Sequence, residues 1–397
     1  MSVNKYVATN ATTFVNAVAN TANSNIDYTT ISIEQTAGAP GVGADVLELA
    51  STLVIPDDFT GLLTKTLIID GNGVTIRPNT SAGFGTDQPL IKRNSPTDNK
   101  SCSIIFKNIN FDCRYSDMIC VQLFNASNVV FENCRFNNAK KGLMLANVNG
   151  AFIRDCSAKD ITLIGFETTV DPAVANFFTR CNNVTYQNCV MTPLATAATG
   201  AIGFKSFYAQ NIAYYECRTP VEMLYGIYCD SGASAGVPNV VNNLQIRNFS
   251  AFGSVNPTAL LTGAVVYMRL ATGFAKIDGL YITGTGGNST PGMVVVEANA
   301  HTATGSPNPH LYVENLPWIP NSGIFKTEGG IPAGVNCPVT PLSDVVTWEF
   351  KEVYDGRNIF NASRWYGGLI PRHRYAEFFD DSKIILTDSL YLNNKYL

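Results

Sequence analysis

Two pairs of acidic residues have the spacing that acid–base chemistry requires. Glu222 and Asp230 flank the segment YGIYC, and Asp160 and Glu167 flank the segment ITLIGF. If these segments are strands, each pair can present two carboxylates on one side of a sheet, where one acts as a general acid and the other as a base or nucleophile. Solvated acids in turns are the alternative interpretation of both pairs, so all four residues remain candidates.

Motifs for nucleotide or metal binding are absent from the sequence. There is no P-loop and no HExxH motif, and the three histidines, His301, His310 and His373, are scattered. The ten cysteines show neither CxxC nor Cys/His spacing. The sequence therefore predicts no cofactor and no metal, and it predicts free thiols that pack as small hydrophobic side chains.

A six-residue pattern recurs along the chain: apolar, any, apolar, any, Asn, apolar. Copies begin at Ile104, Val129, Ala151, Val184, Ile212, Leu244, Ala275 and Leu311. After most copies, a second alternation of apolar residues follows a glycine, as in GLML at Gly142 and GIYC at Gly226. A repeat of roughly 20 to 40 residues with about three short strands is a coil rather than a hairpin. The segment LIIDGNGVTI, residues 67–76, is an early instance of the bend between two of these strands.

Stacked coils of this kind predict an all-β protein, a right-handed parallel β-helix of about nine coils in residues 61–330. Equivalent positions of successive coils then form ladders. The fifth position of the pattern predicts a corner ladder, because Asn tolerates left-handed backbone; it holds Asn108, Asn133, Asp155, Asn188, Glu216, Asn248, Gly279 and Asn315. The sixth position is predicted to point inward and includes Cys134, Cys156, Cys189 and Cys217.

The N-terminal segment predicts a cap for the open end of the stack. Thr12 or Thr13 can begin a short helix in which Phe14, Val15 and Val18 share one face, together with Ala22. With this helix, TLVIPDDF and LIIDGNGVTI, the chain resembles the pectin-lyase-like superfamily of β-helices and, within it, bacteriophage tailspikes. The resemblance covers roughly residues 10–325.

Three domains follow from these patterns: a cap of helix and first strands in residues 1–60, the β-helix in residues 61–330, and a C-terminal element in residues 331–397. Residues 331–345 are rich in Pro and Gly, and the tail from Val346 is rich in aromatic residues, Arg and Asp. Such a tail suits an interface between copies or an end cap for the rod. Both interpretations remain open.

Charge and hydropathy exclude two classes of partner. The net charge of −4 and the pI near 5.5 give no basic surface for a nucleic acid. No apolar run is long enough to insert into a membrane, and no signal peptide is recognisable at the N-terminus. We therefore expect a protein that is made in a host cytoplasm and then carried on a virion.

The resemblance implies activity on polysaccharides. Hydrolases of this fold place two or three carboxylates on neighbouring coils, and lyases use a Ca²⁺-binding acidic cluster with a base. The polygalacturonase-type signatures are absent here. The first hypothesis is a virion-associated spike or fibre that binds host surface polysaccharide or decorates the particle, with other copies of itself, as a homotrimer, and other virion proteins as partners. The alternative is a polysaccharide depolymerase, either a lyase or a glycoside hydrolase; a third is a bacterial adhesin. Whether the protein is an enzyme is left open, and the sequence favours a binding protein.

Overall fold

A computed structural model gives the fold of the 397-residue chain. It describes residues 3–22, 27–34, 45–56, 65–79, 84–94, 102–114, 117–170, 180–220, 223–230, 241–252, 264–269, 272–282, 294–297, 310–316, 325–328 and 347–353. The chain divides into two compact units, residues 1–197 and 198–397, called the first and the second unit.

In the first unit, helix α1 spans Ala11–Ala19 and a 3₁₀ turn spans Asn20–Ala22. The strands of this unit are β1 Val3–Ala8, β2 Tyr28–Ile33, β3 Val46–Leu49, β4 Leu53–Val54, β5 Lys65–Asp70, β6 Thr75–Pro78, β7 Pro89–Asn94, β8 Cys102–Lys107, β9 Asn110–Asp112, β10 Ile119–Phe124, β11 Ser127–Glu132, β12 Arg135–Ala146, β13 Asn149–Arg154, β14 Ser157–Thr169, β15 Asn182–Gln187 and β16 Val190–Pro193.

A 3₁₀ helix at Ala195–Gly200 precedes the strands of the second unit. These strands are β17 Ile202–Phe207, β18 Gln210–Tyr215, β19 Arg218–Pro220, β20 Tyr225–Asp230, β21 Val241–Phe252, β22 Ala264–Arg269, β23 Thr272–Ile282, β24 Val294–Glu297, β25 His310–Leu316, β26 Phe325–Glu328 and β27 Thr347–Val353.

Equivalent strands of successive coils pair in parallel and form three sheets. In the first unit, the first sheet runs through β1, β2, β5, β8, β11, β13 and β15. The second sheet runs through β3, β6, β9, the starts of β12 and β14, and β16. The third runs through β4, β7, β10 and the ends of β12 and β14. Parallel strands joined by crossovers adopt one hand, which makes the coil right-handed.

The second unit repeats this arrangement. Its first sheet runs through β18, β21, β23, β25 and β27, and its third sheet through β17, β20, β22, β24 and β26. The predicted fold class, a right-handed parallel β-helix, is therefore confirmed. Within residues 61–330, the described first-sheet strands are β5, β8, β11, β13, β15, β18, β21, β23 and β25, which agrees with the predicted number of about nine coils.

The core of each unit is built from inward rows of the three sheets. In the first unit, Phe106 stacks on Phe131 with ring centroids 5.0 Å apart, and Phe111 stacks on Phe136 at 5.4 Å. The predicted inward position is confirmed, since its described members are all buried: Ile109, Cys134, Cys156, Cys189, Cys217, Phe249 and Leu280. Burial of apolar area along these rows is the main favourable contribution to folding.

The predicted corner ladder is also confirmed. Its described members have positive φ between 50° and 83°: Asn108, Asn133, Asp155, Asn188, Glu216, Asn248 and Gly279. In the first unit, the Asn133 amide donates to the Oδ1 of Asn108 at 2.8 Å, and the Asn188 amide donates to the Oδ1 of Asp155 at 2.7 Å. The side chain of Asn315 lies outside the described residues.

The bend in LIIDGNGVTI is a longer version of this corner. Gly71 stands opposite Asn108 in the ladder, and Asn72 has the positive φ, 50°. A Cβ at Gly71 would lie 2.5 Å from the side chain of Ile109, so the close approach of the next coil excludes any side chain there. Asn72 instead donates its amide to the Ile33 carbonyl at 2.9 Å, which ties the bend to the previous coil.

The N-terminal helix is present, but its start and its buried face differ from the prediction. Asn10, rather than Thr12 or Thr13, is the N-cap, and its side chain accepts from the Thr13 amide while Thr13 Oγ1 accepts from the Asn10 amide. Phe14, Ala17 and Val18 are buried, whereas Val15 is exposed. A reciprocal capping box satisfies two backbone donors at once, which explains why the N-cap lies two residues before Thr12.

The predicted domain boundaries at residues 60 and 330 stay predictions. Within the predicted C-terminal element, residues 347–353 form β27, which pairs in parallel with β25. The remaining residues of that element lie outside the described residues.

Candidate functional site

The structure describes three of the four acidic candidates. Glu222 lies outside the described residues. Asp160 sits at a bend within β14 with φ 55°, next to residues that pair with β16 of the second sheet. Glu167 lies further along β14 and pairs with Met144 in the third sheet. The bend thus places Asp160 and Glu167 on different sheets, and whether either is catalytic stays untested.

Glu167 is held in an ion pair. Its Oε2 lies 2.6 Å from the Nζ of Lys141, and its side chain is only 2 % exposed. A buried carboxylate needs such a cation, because desolvation strongly penalises an isolated charge. The ion pair with Lys141 therefore fixes the Glu167 side chain in position.

The fourth candidate, Asp230, lies at the outward end of β20 in the second unit. Ile227 and Cys229 of this strand are buried in the core, so the alternation of the strand directs Tyr228 and Asp230 outward. Asp230 is nonetheless only 7 % exposed. Its Oδ2 accepts a hydrogen bond from the Tyr228 hydroxyl at 3.1 Å.

Three tyrosine rings on β20 and β22 pack together, and we call them the tyrosine face: Tyr225, Tyr228 and Tyr267. Tyr228 and Tyr267 are paired in register on β20 and β22, and their rings stack at 5.4 Å with an interplanar angle of 5°. Tyr225 contacts both, with centroids 5.2 Å from Tyr228 and 4.7 Å from Tyr267. Tyr267 is only 9 % exposed and forms the buried base of the face, the half-buried Tyr225 and Tyr228 pack against it, and Asp230 adds one carboxylate.

Lys205 extends the same outward row, since it stands opposite Tyr228 on β17. Phe207 stands opposite Asp230 on the same strand and is half-buried. Among the described side chains, Lys205, Phe207 and Asp230 therefore lie beside the tyrosine face on β17 and β20. This combination suits a ligand with apolar faces and polar edges.

A small cavity lies behind Asp230. It is lined by Ser206, Cys229, Asp230 and Asn243, together with apolar neighbours, and its volume of about 10 Å³ is room for about one water molecule. Ser206 Oγ and Cys229 Sγ are 3.0 Å apart, and burial raises the pKa of the Cys229 thiol to about 12. The thiol is therefore neutral and is a packing group in this wall.

Sequence reasoning missed the tyrosine face, although it had singled out Asp230. A weak signal was available, because the glycine-led alternations YGIYC and GAVVYM each contain a tyrosine. Tyr228 follows its glycine by two residues and Tyr267 by four, so only the strand register shows that the two residues are paired on adjacent strands.

Within the described ranges, no group of three or more His, Cys, Asp or Glu side chains is arranged to hold a metal ion. Among the same residues, no helix has the length and apolar character that a membrane crossing requires.

Comparisons with known proteins give likeness in structure only. No family model matches the sequence, and a search of curated proteins finds no match. ORF18 of Geobacillus virus E2 is 12% identical, with a TM-score of 0.40 over 81% of this chain, which spans 56% of that protein. The A-module of the mannuronan C-5 epimerase AlgE6 of Azotobacter vinelandii is 12% identical, with a TM-score of 0.49 over 89% of this chain and 92% of that one.

A third structure is the tailspike of E. coli bacteriophage HK620 in complex with a pentasaccharide; it is 12% identical, with a TM-score of 0.40 over 90% of this chain and 63% of that one. The parallel ladders and corner rows described above decide the class of fold. The chain has a right-handed parallel β-helix fold. At these identities the likeness concerns the fold of the β-helix, so function has to be argued from its own surface.

Proposed function

We propose that this β-helix protein binds a polysaccharide on the tyrosine face, as a spike or fibre carried on a virion. The observation that supports the proposal is the stack of Tyr228 on Tyr267, with Tyr225 against both and Asp230 bound to the Tyr228 hydroxyl. Sugar rings have apolar faces that pack on aromatic rings and hydroxyl groups that bond to carboxylates and phenols. The face offers all of these groups within one patch.

The rigidity of the face favours binding. Each tyrosine is fixed by its strand and by two neighbouring rings, so little side-chain entropy is lost when a sugar packs against it. Asp230 holds the Tyr228 hydroxyl in one direction. A repeating polysaccharide suits such a site, because equivalent outward positions recur along the sheet.

The partners of the protein belong to the same proposal. A virion spike assembles with copies of itself, which we take to be a homotrimer, and with other virion proteins, and it meets the polysaccharide of the host surface. Nucleic acid and membrane insertion have no part in it. Virion location, host attachment and trimer formation rest on the sequence argument and await the tests below.

A depolymerase is the second candidate, and one observation favours it. Asp230 is a nearly buried carboxylate beside aromatic rings, which is the setting in which carboxyl groups act as acids or bases on sugars. Glycoside hydrolysis also needs a second carboxylate roughly 5 to 10 Å away. Glu222, close in sequence, is the candidate for that role.

Binding is tested on a panel of host capsular and envelope polysaccharides with the full chain. We expect Tyr228→Ala and Tyr267→Ala each to weaken binding about tenfold, the share of one aromatic stacking contact. Tyr215→Ala is the matched control: Tyr215 is a half-buried outward tyrosine of the second unit, but it lies on the first sheet and its hydroxyl donates to Gln245. Equal losses in all three variants, or no loss in any, would contradict the tyrosine face as the binding site.

Turnover is tested in the same samples by following viscosity and new reducing or unsaturated ends. A binding spike leaves the polysaccharide intact. Product formation that is abolished by Asp230→Asn or Glu222→Gln, with binding retained, would replace the first candidate with the depolymerase. Product formation abolished by Glu167→Gln or Asp160→Asn would instead locate activity on the first unit.

A further inference from the structure

Two buried cysteines of the first unit have their sulfur atoms in contact. Cys113 follows β9 directly, and Cys120 is the second residue of β10. Their Sγ atoms are 3.4 Å apart, and both residues are fully buried. A disulfide bond has a sulfur separation of about 2.05 Å, so the two atoms need to approach by roughly 1.4 Å to bond.

The backbone on both sides of the pair is fixed by the strand ladders. The Cys113 amide donates to the Asn137 carbonyl of the next coil at 3.0 Å, and the Ile119 amide donates to the Gln88 carbonyl of the previous coil at 3.1 Å. Cys120 Sγ also contacts the Phe111 carbonyl at 3.6 Å. The backbone hydrogen bonds between coils therefore hold the two cysteines close to each other.

The inward ladder cysteines also have thiol–thiol contacts, Cys134 with Cys156 and Cys156 with Cys189, but these contacts join separate coils. Cys134 and Cys156 each direct their thiol to a carbonyl two residues earlier, at 3.5 Å for Glu132 and 3.2 Å for Arg154. They lie on separate coils, whereas Cys113 and Cys120 belong to one coil and are joined by a short connection. A bond between Cys113 and Cys120 would close only that connection and leave the pairing of the coils unchanged.

We propose that Cys113 and Cys120 are a modification site that forms a disulfide when the protein meets a peroxide. One thiolate attacks hydrogen peroxide, the O–O bond breaks, and a sulfenic acid and water form. The second thiolate attacks the sulfenic sulfur, the S–O bond breaks, and a second water leaves. The two thiols lose two electrons and two protons in total, and peroxide is reduced to two water molecules.

Exposed residues lie close to the pair in the sequence: Arg114 follows Cys113 directly, and Asp117 precedes Cys120 by three residues. Burial raises the pKa of the Cys113 thiol, and the neighbouring Cys120 raises it further, so little thiolate exists in the closed fold. Oxidation therefore requires local opening of the fold around the two buried thiols and is slow, as is reduction of the product.

The experiment uses the full chain, kept reduced and then exposed to hydrogen peroxide before quenching with catalase. Free thiols are alkylated with a light reagent in denaturant, disulfides are reduced, and the released thiols are alkylated with a heavy reagent. We expect the heavy label on Cys113 and Cys120 together, and the light label on Cys134 and Cys181. Oxidation should also raise the Tm by a few degrees, and dithiothreitol should reverse the rise.

Variants separate this pair from general thiol oxidation. Cys113→Ala should remove the heavy label from Cys120 and abolish the rise in Tm. Cys181→Ala, which alters another buried cysteine of the same unit, should leave both results unchanged. Light label on both cysteines of the oxidised wild-type chain, or cross-links from either one to Cys134 or Cys156, would overturn the proposal without reliance on any variant.

Discussion

Asparagine contributes in two ways where it occupies the corner of a coil. It adopts a left-handed backbone, with φ 52° at Asn133, and its amide bonds along the stack to Asn108. Left-handed backbone costs most side chains roughly 1 to 2 kcal/mol, and Gly avoids that cost. The hydrogen bond contributes about 1 kcal/mol more. The two contributions can therefore be measured separately at one position.

For Asn133 we predict that Ala is worse than Gly. Asn133→Ala loses both the tolerated backbone and the amide bond, and it should lower the free energy of unfolding by about 2 kcal/mol. Asn133→Gly keeps the backbone and should cost about 1 kcal/mol. Urea denaturation of both variants checks this. If Gly proves as harmful as Ala, the amide ladder alone accounts for the residue.

The buried thiol of Cys229 predicts loss of stability in alkali. In the unfolded chain its pKa is near 9, whereas burial raises the pKa to about 12 in the folded protein. Between these two pKa values the folded state therefore retains a proton that the unfolded state releases. The contribution of Cys229 to the free energy of unfolding is fully present below pH 9 and is lost as the pH rises toward 12. The slope is about 1.4 kcal/mol per pH unit from this group. Denaturant titrations between pH 8 and pH 11 should show a shallower fall in Cys229→Ala, and identical slopes would refute the assignment.

At the residue scale, the positions that could be predicted from the sequence are those where successive coils need the same kind of residue. The corner needs a left-handed residue and the inward position needs a small apolar one, so Asn133 and Cys134 could be recognised from their types. Arg93 could not: it points into the core, is fully buried and donates to the Phe124 carbonyl. Neither could the contact of Cys113 with Cys120, which depends on how one connection folds.

Among the elements, the third sheet shows how closely the coils approach each other. Gly142, Gly203 and Gly226 stand where an added Cβ would lie 2.5 to 2.7 Å from a carbonyl of the next coil. The glycine-led alternation noticed in the sequence is thus explained by contact between backbones. The sequence predicts which strands follow a glycine. It does not predict the close contact between the glycine and the carbonyl of the next coil, because that contact depends on the register of neighbouring coils.

We predict that Gly142→Ala strongly destabilises the first unit. Its Cβ would be 2.5 Å from the Gly165 carbonyl oxygen, so the backbone of two coils would have to separate, at a cost of about 3 kcal/mol. Gly85→Ala is the matched control, because the nearest atom to its added Cβ is 3.6 Å away on the flexible Gln88. We expect a change within about 0.5 kcal/mol for the control. Thermal and urea unfolding would contradict this prediction if the two variants were equally stable.

The N-terminal cap shows that the local sequence can predict a helix without predicting the residue at which it begins. The helix was predictable from the spacing of Phe14 and Val18, which are both buried. Its N-cap was not, because Asn10, Thr12 and Thr13 are all good capping residues and only the reciprocal bonds of Asn10 and Thr13 select one of them. Element type was therefore more predictable than element boundary.

For the whole molecule, self-association remains the main prediction of the sequence. The tail from Val346 is rich in aromatic residues and Arg, as interfaces are. We expect sedimentation of the full chain to give a mass of about three protomers, and deletion of residues 346–397 to reduce it. A monomer in both cases would remove the homotrimer from the proposed function.

The parallel pairing of successive coils also determines how long each new coil stays unpaired during translation. Asn108 and Asn133 are hydrogen-bonded neighbours although they are 25 residues apart in the chain. A ribosome adds roughly 5 to 20 residues per second, so a new coil is left uncovered for about one to five seconds before the next one pairs with it. During that interval its open strand edge is available to any other nascent chain. The risk of aggregation therefore recurs once per coil and depends on the pace of translation.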